Sequence, residues 1–257
     1  MVQGRVFSFV MLVVSWAAIY FCIRLARGGH KFELRRIRGL DAIEEAIGRA
    51  TELGSPVFFC PGIPDVMSTS ASQAMAGFEV LSFIASKTAQ YGAGLVATVG
   101  AENALPVIEE VVRHAYVSTG KGQDYKPEMV RFLSPTQMAY TAATIGIMRR
   151  EKIAACFMVG PFFGEALIIA EAAAQLGAIT IAGTARMAQL PLFVVAADYT
   201  LLGEEIYAGG AYLSGEPVMT GSLIGQDMVK LIGLGLLALG SVLATFNIKV
   251  VADLFKM

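Results

Sequence analysis

The stretch IAACFMVGPFFGEALIIAEAAAQLGAITIAGT, residues 153–184, decides what kind of molecule this is. It is apolar enough to pass for membrane segments. Glu165 and Glu171 lie inside it, however, and Gly160-Pro161 and Gly177 interrupt it. A charged side chain at a bilayer centre costs several kcal/mol unless it is functionally paired. The stretch therefore reads as folded core: a strand over 153–160, a helix over 162–177 and a second strand over 178–183. Continuous apolar strands separated by helices belong to a parallel sheet covered on both faces.

The same alternation extends outward on both sides. Upstream, LDAIEEAIGRATELG (40–54) sets Leu40, Ile43, Ala46, Ile47 and Ala50 on one helical stripe and ends in Gly54. SPVFFCPG then reads as a buried strand stopped by Pro61-Gly62. Ser68-Thr69-Ser70 open a helix that runs to about Tyr91, where Gly92 ends it. GLVATVG (94–100) is a strand, and 101–120 a helix with Pro106 in its first turn. VRFLS (130–134) is strand-like, and Ser134-Pro135 opens the helix that precedes residue 153. Downstream, LPLFVVAAD (190–198) reads as a sixth strand, after a short turn or helix near Ala185–Met187, and 203–214 as the last helix. The expected fold is α/β, a doubly wound, mainly parallel sheet in one domain over 40–227.

Two apolar segments flank that domain. VFSFVMLVVSWAAIYFCI, from Val6 to Ile23, has no charge and spans about 27 Å as a helix, close to the hydrocarbon core of a bilayer. Residues 1–24 thus read as an anchor and 25–39 as a basic collar. A cleaved secretory signal would want its positive charge before the apolar run. Here only Arg5 precedes it, whereas Arg24, Arg27, Lys31, Arg35, Arg36 and Arg38 follow. The second span begins near Met228 and ends near Phe246, with Lys230 at one end and Asn247 and Lys249 at the other, inside a terminal segment 228–257. By the positive-inside rule, the expectation is a two-span cell-membrane protein with both termini outside and the main domain cytoplasmic.

Charge and composition narrow the function classes. The chain has 257 residues, 55% of them hydrophobic, with Lys+Arg 20 against Asp+Glu 21. High hydropathy at low charge excludes a disordered chain. Residues 39–227 carry ten Lys/Arg and nineteen acids, and an acidic body argues against nucleic acid as a partner. The collar beside the first span suits anionic headgroups or serves as a topology signal alone. Cys22, Cys60 and Cys156 stand apart and only two histidines, His30 and His114, occur, so neither a disulfide framework nor a zinc site is expected. No metal and no cofactor is expected.

No motif names a reaction: there is no phosphate-binding glycine pattern, zinc-protease pair or nucleophile elbow. Cys60, at a strand end, reads as a buried structural thiol more readily than as a nucleophile. Ligands of open parallel sheets bind outside the carboxyl ends of the strands. That rule selects Gly62 and Asp65, Glu102 and Asn103, and Asp198 and Thr200 as candidate ligand contacts, with Gly100, Gly160 and Gly183-Thr184 beside them. Caps and turns use the same residue types, and both readings stand at this point. In the second membrane segment and just before it, Gly221/Gly225 and Gly240/Ala244 are small-residue pairs that permit close helix packing.

The segments RRIRGLDAIEEAIGRATELGSPVFFCPG (35–62), MAYTAATIGIMRREKIAACF (138–157), GEALIIAE (164–171), IAGTARMAQLPLFVVAADYTLLGEEIYAGGAYLSGEPV (181–218) and GSLIGQD (221–227) resemble a bacterial and archaeal family of two-span membrane proteins carrying a domain of unknown function. The resemblance implies the architecture given above and no catalytic residue. Two functions then compete. One is a membrane-anchored structural or assembly subunit that forms a homo-oligomer or joins other membrane-complex subunits, in contact with the lipid bilayer. The other is a sensor or enzyme binding a small ligand at the carboxyl edge of the sheet.

Overall fold

The computed structural model describes residues 6–30, 32 and 34–246. Arg5, Lys31, Asn247, Lys249 and the tail after Phe246, all used above, lie outside the described residues. Two compact units emerge: Arg36–Leu213, and a second unit holding the helices that flank it in sequence.

In chain order the elements are α1 (Val6–Arg27), α2 (Arg38–Glu52), β1 (Val57–Cys60), α3 (Ala71–Tyr91), β2 (Leu95–Val99), α4 (Leu105–Ser118), β3 (Val130–Phe132) and α5 (Gln137–Glu151). There follow β4 (Ala155–Val159), α6 (Glu165–Gln175), β5 (Ile179–Thr184), α7 (Leu190–Ala196), β6 (Tyr199–Leu202), α8 (Glu205–Ser214) and α9 (Pro217–Thr245). Gly92 ends α3 in the left-handed conformation, φ 71°, which a residue without a Cβ adopts at no steric cost.

The six strands form one sheet in the order β3-β2-β1-β4-β5-β6, and every pair is parallel. This is the strand order of doubly wound sheets that bind dinucleotides, with the switch point between β1 and β4. Phe58, Cys60, Cys156, Met158 and Ala182 join a core with Tyr140, Ile147 and Met148 of α5, Ile169 and Ala173 of α6, and Phe193 of α7. The alternate residues Val57, Phe59, Ala155, Phe157 and Ile181 are also fully buried. Successive strand side chains point to opposite faces, so these serve the other side, where α2 and α3 pack.

One element differs from expectation. Residues 190–198 are not a strand: α7 occupies 190–196, and the sixth strand is Tyr199–Leu202. A strand at Leu190 would leave only residues 185–189 to cross from β5 to a parallel neighbour, which takes about a dozen residues. Pro191 sits in the first helical turn, where its missing N–H costs nothing. An apolar run this short has no periodicity that separates helix from strand.

The second unit contains α1 and α9, both long and apolar enough to cross a membrane. The helix α9 begins at Pro217, ahead of the apolar segment that starts near Met228. A Cβ on Gly221 would lie 2.9 Å from Cys22 O, and one on Gly225 would lie 2.6 Å from Ile19 Cα. The two glycines thus bring α9 backbone to backbone with α1 of the same chain. Cys22 Sγ meets Met228 Sδ at 3.3 Å along the same seam. Gly240 is half-buried and Ala244 exposed.

Candidate functional site

The switch point is where a ligand would enter a sheet of this topology. The loop after β1 begins Pro61-Gly62 and the loop after β4 begins Gly160-Pro161. These loops touch through their backbones. A Cβ on Gly62 (φ +77°) would stand 2.8 Å from Pro161 O, and one on Gly160 2.6 Å from Pro61 O. Phe162, fully buried, sets its ring about as close to Gly62, with Cδ1 3.3 Å from that same Cβ position. On α3, a Cβ at Gly77 would strike the Val159 carbonyl. The crevice is therefore closed by main chain and one aromatic ring.

Beneath the loops lies a buried polar chain. Tyr140 Oη bonds Cys60 Sγ at 3.2 Å and Thr98 Oγ1 at 3.1 Å, and all three residues are fully buried. Burial pushes the Cys60 thiol up to about 11, with hydrogen bonds from Tyr140 and the Gly62 backbone pulling the other way. Burial likewise raises Tyr140 and Cys156 well above their ordinary values. Nucleophilic cysteine chemistry needs the thiolate, and Cys60 holds its proton at neutral pH. Its place is structural. Beside it Glu165, 1% exposed, accepts from Gln137 Nε2 at 2.5 Å and from the Phe163 N–H at 3.1 Å. This carboxylate fastens the start of α6 to the start of α5.

The structure divides the candidate ligand contacts. Asp65 and Asn103 come together, since Asp65 Oδ1 accepts from Asn103 Nδ2 at 2.7 Å and from the Met67 N–H at 2.8 Å. Those two donors, Asn103 first, hold the Asp65 carboxyl below its usual range. Glu102 is exposed next to Asn103, and Gly62 belongs to the closed switch point. Asp198 and Thr200 lie elsewhere. Because 190–198 is not a strand, Asp198 precedes β6 and its Oδ2 accepts from the Thr180 N–H at 2.8 Å, near the amino end of β5. Thr200 lies inside β6, opposite Ala182. The roles of Tyr140, Gln137 and Glu165 escaped the sequence reading. The one signal was a glutamate among apolar residues right after Gly164, which needs a partner if it is buried.

A second concavity of about 590 Å³ lies beside α2, lined by Arg36, Arg38, Asp41, Ala42, Glu45 and Tyr199. Asp41 accepts from Tyr212 Oη at 2.6 Å and from Arg36 Nε at 2.6 Å, and these bonds, Tyr212 first, lower its carboxyl. Two arginines oppose two carboxylates there, so the groove selects no charge. Among the described residues no three His, Cys, Asp or Glu side chains converge as a metal site requires.

A family model described as a domain of unknown function (DUF6754) matches residues 1–255. The match covers nearly the whole chain, and the protein belongs to that family. No curated protein and no solved structure matches the chain.

Proposed function

We propose that this chain is a membrane-anchored assembly subunit, held in the cell membrane by α1 and α9, that self-associates or joins a larger membrane complex. One observation carries the reading: ahead of the last turn of α5, and with Glu171 and Gln175 set apart, the outer surface of α5, α6 and α7 is apolar. Met138 is 71% exposed, Ile168 45%, Val194 57% and Val195 84%. A run of exposed apolar side chains across neighbouring helices marks an interaction surface, whereas scattered ones mean nothing. The closed switch point supports the same reading, because the place where this topology usually takes a ligand is filled by the chain itself.

In this proposal both termini lie outside the cell and the Arg36–Leu213 unit is cytoplasmic. The support is the charge asymmetry about the first span, with six basic residues in 24–38 and one before it. An impermeant thiol reagent should fail to label Ser118→Cys in intact cells and should label it after lysis. Labelling in intact cells inverts the topology.

A second reading, a small ligand bound at the carboxyl edge, is favoured by the paired Asp65 and Asn103. Native mass spectrometry of the protein in mild detergent separates the two. The assembly reading expects a discrete multi-chain particle. A monomer retaining one small molecule per chain would replace it with the second reading.

A further inference from the structure

The assembly reading leaves open what covers the apolar layer, and the charges on that layer point to one occupant. We propose that α5 and α6 of one chain pack against α6 and α5 of a second copy about a two-fold axis running between the helices. The inference rests on the assembly reading above.

Beyond Met138 at its start, the outer side of α5 is low and uncharged up to its last turn. Ala139 and Ala142 are exposed, and a Cβ on Gly146 would meet nothing within 4 Å. The outer side of α6 stands higher, with Ile168 exposed and Glu171 following one turn later. A low helix beside a raised one makes a surface complementary to its own copy, which is what an isologous contact requires.

Charge supports the same pairing. Arg149 and Arg150, exposed in the last turn of α5, make no ion pair among the described residues. Among the described residues the Glu171 carboxylate accepts only from Gln175 of its own helix, at 3.3 Å. The Gln137–Glu165 bond sets the starts of the two helices level. Counting from it, Glu171 stands six residues along α6 and Arg149 twelve along α5, an offset of about 9 Å. Helical side chains lean toward the N-terminus, and an arginine leaning that way from α5 spans most of this offset. The axis between α5 and α6 then places Glu171 of each copy against Arg149 or Arg150 of the other, twice over. Residues 36–213 carry 12 Lys/Arg against 17 acids, so copies meeting by other faces of that unit would repel on balance.

The test uses full-length protein in mild detergent. Chains carrying Ala142→Cys under one tag are co-expressed with chains carrying Ile168→Cys under another. An oxidised, doubly tagged species is expected, and it can arise only between copies. Glu171→Lys should weaken self-association roughly a hundredfold, about tenfold for each of the two symmetry-related ion pairs that it breaks. Arg149→Glu with Arg150→Glu in the same chain should restore it. All these side chains are exposed, so the monomer keeps its fold. A multi-chain wild type with no cross-link and no effect of Glu171→Lys overturns this contact and leaves the assembly reading standing. Loss of a foreign protein on Glu171→Lys, with no cross-link, overturns the second copy as occupant. A monomeric wild type overturns both.

Discussion

The two helical layers of one sheet differ on their outer sides far more than on their inner ones. On the α2–α4 side, charge lies along the helices: Asp41, Glu44, Glu45, Arg49, Glu79, Lys87, Glu109, Glu110 and Arg113. Some of it is paired, with Lys87–Glu44 and Arg113–Glu110 each at 2.6 Å. On the α5–α7 side charge retreats to the last turn of α5, the buried Glu165 and Glu171. Both layers bury aromatic and aliphatic side chains against the strands, so closing the core does not require the outer difference. In the proposed assembly that difference serves association, because the core closes without it.

The largest expected effect tests how each layer is fixed to the sheet. Gly77→Val on α3 drives a side chain into the Val159 carbonyl, where backbone cannot yield, and should cost about 3 kcal/mol or more. Gly146→Ala on α5 meets open space and should stabilise the isolated chain by about 0.5–1 kcal/mol through helix propensity. Denaturant unfolding of the two variants in the same detergent measures the contrast. Equal losses would mean the layers are seated alike.

Alkaline unfolding asks whether the α5–α7 core hides titratable groups as its outer side hides charge. Cys60 keeps its proton to about 11 in the fold, against an ordinary value of 9.0 when the chain opens. Above pH 9 the unfolded chain therefore gives up a proton that the folded one holds. Stability present below pH 9 should fall by about 1.4 kcal/mol per pH unit towards 11. Cys156 and Tyr140, both raised, push the same way. Unfolding midpoints measured from pH 7 to 11 should drop above 9, and a flat profile would contradict the buried, protonated thiol.

Within that core, Tyr140→Phe removes the hydroxyl that joins Cys60 to Thr98. It should lower stability by about 1–2 kcal/mol without changing particle size. The smallest effect belongs to the charged layer. Lys87→Gln breaks the pair with Glu44 at a cost of at most about 1 kcal/mol, and the proposed assembly should be untouched. A change in particle size from Lys87→Gln would move the interface to the wrong layer.

The elements with a period or a punctuation mark were legible in the sequence. The amphipathic stripe Leu40–Ala50, the glycine stop at Gly92 and Pro106 in the first turn of α4 all lie where expected. The failure at 190–198 came where neither signal exists, and it carried the expected place of Asp198 with it. Asp65 and Asn103 were selected because loops after strands share one edge, and they do meet. Their contact could not be read from residues 38 positions apart.

By itself, the sequence determined the alternation of strands and helices, the two long apolar helices and the absence of any catalytic signature. These follow from local rules, such as backbone preference, side-chain period and hydrophobic length, that act over a few residues at a time. Only the tertiary structure decided the strand order, the closure of the crevice by Gly62 and Gly160, the Tyr140–Cys60–Thr98 chain and the apolar outer layer. Each of those depends on which distant residues meet. A glycine spacing says that a backbone can come close, and only the packed fold says which backbone does.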